Sequence, residues 1–242
     1  MTRRMMRDPT TAQPPERWLL GHYDYPVSHR VFELAVVGTF GTLAALFARR
    51  VVAGLADGFT WWRPLTVVAC MVAAYGVADL LSGLVHFAFD NLGSPDTPVI
   101  GQKFVRPFRD HHDDPAAMTH GDLVAVNGDN VFAALLLLAP VWFFVDVRDH
   151  PHIGAFVLAL LGGVVVTNQL HKWCHTPAVP TWVRAAQRRG LVLSPSHHAV
   201  HHRAPYRTHY CITWGRLDPA VGAVAALAAR RQRRSARDRR PR

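Results

Sequence analysis

The chain has 242 residues, half of them hydrophobic and only 18% charged, and its 27 Lys and Arg against 17 Asp and Glu give a formal charge of +10. So high an apolar content excludes a disordered chain, and three cysteines in no paired spacing exclude a disulfide scaffold. The basic excess comes without a nucleic-acid motif, so it reads as attraction to a membrane surface and not to nucleic acid.

In chain order, residues 1–30 hold Pro9, Pro14, Pro15 and Pro26, several charges and no apolar core run. That pattern is not a signal peptide, and it is read as a cytoplasmic N-terminal segment. Four apolar runs follow, at about 31–48, 64–89, 131–145 and 153–170. A spanning helix needs roughly 20 apolar residues, and about 17 suffice. The first and third runs are short for that, so buried or re-entrant segments are the alternative to spans. Four spans put residues 1–30, the 90–130 loop and everything after 170 on one side of the membrane. That side carries 23 of the 27 Lys and Arg; Arg49, Arg50, Arg63 and Arg148 lie opposite. The positive-inside rule then places both termini in the cytoplasm. After Pro219 the chain reads as a short amphipathic helix followed by a basic tail that lies on anionic lipid, a plain solubility tail being the alternative. The domain reading is therefore an N-terminal segment 1–30, a membrane domain 31–218 and a basic tail 219–242. The expected fold is all-α: an integral membrane bundle of about four transmembrane helices with a cytoplasmic histidine-rich cap.

The 15 histidines cluster on that same cytoplasmic side, where only His150 and His152 do not fall. His171 and His175 form an HxxxH pair at the end of the fourth run, and residues four apart share a helix face. His197, His198, His201 and His202 form a second, denser group. His111 and His112 lie in the 90–130 loop, and His86 ends the second run with Asp90 four residues on. One HxxxH is a weak signal, because most such pairs are surface or core histidines. Four clusters brought to one membrane face are a strong one, since crowded imidazoles repel when protonated and need partners when neutral. A metal resolves both problems. A single structural zinc site takes four ligands, usually with Cys, and this chain offers twice as many histidines and no Cys pair. Two imidazole-rich ions fit better, and a pair of iron ions activating O2 is the expected centre; zinc stays open on ligand type alone. The candidate ligands are His86, His111, His112, His171, His175, His198, His201 and His202, with His197 and Asp90 next, as ligands or as partners that support one.

Asp79 and Asp90 are the candidate catalytic carboxylates. Asp79 is an ionisable residue inside a span, which is costly and marks function by default. Asp79, Ser82, His86 and Asp90 form one helical stripe, so Asp79 is expected to orient a ligating imidazole, the plainer alternative being a polar contact between helices. Asn168, three residues before His171, is expected to act likewise. The basic-aromatic segment 105–109 suits contact with lipid phosphate.

The motifs GLVHFAFD (83–90), VIGQKFVRPFRDHHDDP (99–115), NGDN (127–130), TNQLHKWCHT (167–176), LSPSHHAVHHRAP (193–205) and YCIT (210–213) resemble the plasmanylethanolamine desaturase family of lipid desaturases. The resemblance runs from about 78 to 217. It implies a membrane desaturase with a histidine-box di-iron centre that uses O2 and introduces the vinyl-ether double bond into the alkyl chain of an ether phospholipid. It also implies an external electron donor of cytochrome or ferredoxin type, since no flavin, haem or iron–sulfur motif is visible here. The family's boxes fall on 171–175 and 198–202, its preceding histidine and acid on His86 and Asp90, and its loop pair on His111 and His112. Gly121 and Tyr206 stand where the family often has His, and YCIT is followed by WGRLDP, so the exact lipid is the open point. The competing readings are an acyl-lipid desaturase or hydroxylase and a non-catalytic membrane metal-binding or signalling protein.

Overall fold

The computed structural model describes residues 27–57 and 60–238, the last seven of these by backbone only. The described residues are helical and contain no strand. Four long helices dominate: α1 (Val27–Ala56), α2 (Arg63–Asn91), α4 (Leu123–Phe144) and α5 (Pro151–His175). Each is long and apolar enough to cross a membrane. The shortest, α4 with 22 residues, extends about 33 Å at 1.5 Å per residue, which matches a hydrocarbon core of about 30 Å. Their outer faces carry exposed Leu34, Val52, Leu65, Val68, Leu136 and Phe143, as lipid contact requires. The protein is an integral membrane protein.

The helices overrun the expected apolar stretches at both ends, except that α4 stops one residue short of the end of its run. α1 starts inside the expected N-terminal segment, whose residues 1–26 lie outside the described residues. α4 begins eight residues before its apolar run, because Asp122 accepts a hydrogen bond from Ala125 N (2.8 Å) and caps the helix. Prolines open α2 and α5 in the first turn, where a missing N–H costs nothing.

α5 is the hub and packs against α1, α2 and α4. It approaches α2 closely: a Cβ on Gly163 would lie 2.6 Å from Ala78 Cβ. Chain direction alternates, so the starts of α1 and α4 and the ends of α2 and α5 share one end of the bundle. The apolar core of Phe47, Val51, Leu138, Val147 and Leu161 fills the other half. Over the polar end lie a π-helical turn (Gly101–Val105), α3 (Arg106–Asp113), a 3-10 turn (Ala117–His120), α6 (Thr181–Arg188) and α7 (Pro195–His201). α8 (Asp218–Asp238) returns to pack on α2. It is the amphipathic tail helix expected from the sequence, one residue earlier in its start; residues 239–242 lie outside the described residues.

Candidate metal centre

Four elements bring the histidines together. His86 and Asp90 end α2, and His171 and His175 end α5. His111 and His112 sit on α3, and the fourth element, α7 with the residue after it, supplies His198, His201 and His202. Ser194 caps α7 by accepting from His197 N (3.3 Å). Arg109 locks α3 to the end of α2: its guanidinium donates to the carbonyls of Phe89 (3.3 Å), Leu92 (3.3 Å) and Gly93 (2.9 Å). Such orphan carbonyls at a helix C-terminus favour a cation. The arginine expected to meet lipid phosphate is thus committed to holding the histidine loop.

The side chains form two adjoining groups, each with ligand atoms within 4.8 Å of one another. One is His111, His171, His175, His198 and His202. The other is His86, Asp90, His112 and His201. Adjacent residues on a helix diverge by about 100°, so His111 and His112 go to different groups, as do His201 and His202. In the first group His198 Nε2 lies 2.8 Å from His171 Nε2, 3.0 Å from His175 Nε2 and 3.0 Å from His202 Nε2. One nitrogen offers one proton or one lone pair, so hydrogen bonds cannot satisfy three such neighbours. Nitrogens bound at about 2.1 Å and at right angles around one ion would sit about 3 Å apart, which is the spacing present. In the second group Asp90 Oδ2 is 3.5, 3.6 and 3.4 Å from the Nε2 atoms of His86, His112 and His201, too long for hydrogen bonds.

His86 Nε2, His111 Nε2 and both Asp90 oxygens are buried with no hydrogen-bond partner. Such orphans are rare and costly in a folded protein, and all of them point into the two groups. In the second group two rings are held by their other nitrogen: His86 Nδ1 donates to Tyr210 O (3.0 Å) and His201 Nδ1 to Thr208 O (2.8 Å), which turns each Nε2 lone pair toward the group. Burial first, then the neighbouring imidazoles, pushes His111 down to about 2 and His202 down to about 3. The same causes hold His198 well below the ordinary histidine range. Rings kept neutral in this way are in the state that binds metal.

Not every candidate joins these groups. His197 turns away, with its Nε2 2.6 Å from Asp218 Oδ2 and its ring against His209. Asp79 is fully buried and touches no imidazole. Its Oδ1 accepts from Trp214 N (2.7 Å) and Gly215 N (2.9 Å), and its Oδ2 from Leu217 N (3.0 Å). One turn on, Ser82 Oγ accepts from Ile212 N (3.1 Å). The α2 stripe therefore clasps the 210–217 backbone turn by turn, and that segment and Thr208 hold the two imidazoles. Asn168 instead donates to Val126 O (3.0 Å) and ties α5 to α4. The divergent Tyr206 stacks on His112 at 4.4 Å between ring centroids, while Gly121 offers its carbonyl to Lys172 Nζ. Sequence reasoning did not identify Tyr210 and Thr208, whose contribution is a backbone oxygen that any residue could supply.

Fold and site together define an integral membrane protein with a histidine-rich centre fit to hold two metal ions. The lipid desaturase domain family matches residues 75–228, and the chain belongs to that family. It is 40% identical over 165 residues to plasmanylethanolamine desaturase 1 of Mus musculus, covering 65% of this chain and 61% of the mouse protein. It is 34% identical over 209 residues to plasmanylethanolamine desaturase of Myxococcus xanthus, covering 83% of this chain and 70% of that one. It is 30% identical over 176 residues to fatty acid desaturase 4-like 1, chloroplastic, of Arabidopsis thaliana, covering 72% of this chain and 57% of the plant protein. No solved structure matches.

Proposed function

We propose that this chain is an O2-dependent desaturase that converts the alkyl ether of a plasmanylethanolamine-type phospholipid into a vinyl ether. The observation that carries the reading is the pair of adjoining ligand groups, in which His86 Nε2, His111 Nε2 and both Asp90 oxygens are buried with no hydrogen-bond partner. His111, His171, His175, His198 and His202 would hold one ion; His86, Asp90, His112 and His201 would hold the other. Two iron ions would supply the activation of O2. The overall reaction takes one hydrogen from each of two neighbouring chain carbons, O2, two electrons and two protons, and yields the double bond and two waters. The electrons come from an external donor of cytochrome or ferredoxin type.

The chain's own residues do the positioning. The carbonyls of Tyr210 and Thr208 fix the ring orientation of His86 and His201, and Asp79 and Ser82 hold the segment that follows Thr208. The distribution of Lys and Arg, 23 of 27 on one side, supports a cytoplasmic location for both termini and the centre.

The test is lipid extraction from cells that make ether lipids and express the chain. Wild type is expected to yield an acid-labile vinyl ether and to purify with iron, and His171→Ala to lose both. The Arabidopsis relative's name keeps an acyl-lipid desaturase as the second reading. Unchanged ether lipids with a new acyl double bond would establish that one. Zinc in place of iron would overturn the redox reading, and an unchanged lipid profile with bound metal would favour a non-catalytic metal protein.

A further inference from the structure

Beyond the metal centre, a cavity of about 810 Å³ opens between the end of α5, α6 and the start of α7. Four arginines line it, Arg184, Arg188, Arg189 and Arg216, with no acidic residue among the lining. None of the four pairs with a carboxylate among the described residues. Gln187 also lines it, is 93% buried by its 7% exposure, and has no hydrogen-bond partner for its Nε2. That nitrogen is itself out of reach of a water molecule, so what a ligand in the cavity meets is the four exposed arginines. Guanidiniums gathered around one cavity with no carboxylate among them favour an anionic oxygen ligand.

Its position says which anion. Trp173 lines the cavity and meets exposed Trp182 edge-on at 5.4 Å. Tryptophans at the end of a spanning helix mark the headgroup level of a bilayer. The cavity also reaches Ser194, Pro195 and Ser196, the residues that lead directly into His198. A concave site of this size admits a small charged group between its arginines, where the flat acidic face of a protein makes a poorer fit.

We propose that this cavity seats the phosphate of a phospholipid headgroup, with Arg184 and Arg188 as its donors, and so sets how far the lipid's chain reaches toward the histidines. The last step rests on the desaturase reading; the binding does not. With no carboxylate in the lining, the site offers an ethanolamine ammonium no counter-charge. It therefore reads the phosphate, and recognition does not depend on the amine.

The test is binding by the full-length, metal-loaded protein in non-ionic detergent. The probes are short-chain phosphatidylethanolamine, phosphatidylglycerol, the matching diacylglycerol and inorganic phosphate, against wild type and the double variant Arg184→Ala/Arg188→Ala. Both arginines are exposed, so the fold should survive; Arg184→Gln/Arg188→Gln, which keeps polar side chains but removes the charge, is the second variant. Both phospholipids should bind wild type, diacylglycerol at least about tenfold more weakly, and each variant should lose about tenfold or more for the phospholipids with iron content unchanged. Equal phospholipid affinity in wild type and both variants overturns the proposal. So does inorganic phosphate binding as tightly as the phospholipids. A headgroup effect in a protein that forms no vinyl ether leaves the seat standing and sinks the reaction. A vinyl ether formed with no headgroup effect does the reverse.

Discussion

Replacing Asp79 separates a residue that carries the reaction from one that holds the fold around it. Its two oxygens accept three backbone hydrogen bonds, from Trp214, Gly215 and Leu217, in a fully buried position. In Asp79→Asn the amide oxygen can keep the two bonds at Oδ1. Its NH2 then faces the Leu217 N–H, donor against donor. One bond is lost and a buried donor is stranded, at about 1–3 kcal/mol. For a chain of this length that corresponds to a fall of roughly 2–10 °C in the thermal midpoint. Asp79→Ala strands all three N–H groups and should cost more. Because the clasped segment lies next to the carbonyls that orient His86 and His201, bound iron per folded protein should fall as well. Circular dichroism melts and metal analysis in detergent give both numbers. Gly54→Ala is the control: a Cβ there would lie 2.2 Å from Arg148 O, far from the histidines, so it should lower the midpoint and leave iron per folded molecule unchanged. An Asp79→Asn protein with wild-type midpoint and wild-type iron would refute the reasoning.

His86→Ala and His171→Ala each remove a ligand from a different group, so each should abolish vinyl-ether formation, and each should reduce iron by about one equivalent or more; two equivalents retained in both would sink the assignment. In metal-free protein the fold holds His111 down to about 2 and His202 to about 3, whereas both titrate near 6.5 when unfolded. The unfolded chain then binds more protons below that value, so stability falls as pH drops from about 6.5 toward 3. Melts of chelated protein at about pH 7.5 and about pH 5 check the sign, and equal midpoints would contradict it. Gly163→Val places a side chain where Ala78 Cβ is 2.6 Å away. It should cost about 1–3 kcal/mol by prying α2 from α5, measured by denaturation in mixed detergent.

The four spans were legible because lipid-facing surface must be apolar, but their ends were not. α1 runs through Arg49 and Arg50, and α4 begins in the polar stretch from Leu123 to Asn130. Backbone hydrogen bonding continues a helix past the hydrocarbon, where hydropathy carries no signal. The HxxxH spacing put His171 with His175, and His198 with His202, and the four side chains lie in one group, since four residues return to one face. It did not separate His197 from its neighbours: its direction is set by Asp218, 21 residues on. The purpose of Asp79 was half visible. A buried carboxylate in a span demanded partners, but these are peptide N–H groups 135 to 138 residues away, and no side-chain pattern records them.

The two ligand groups are chemically unequal. One offers five neutral nitrogens and the other three nitrogens and a carboxylate. A divalent ion entering the first keeps its full positive charge, while Asp90 offsets part of it in the second. Loading should therefore proceed in two inflections when apoprotein is titrated anaerobically, and a preparation with half its complement would be a single defined species instead of a blend of empty and full molecules.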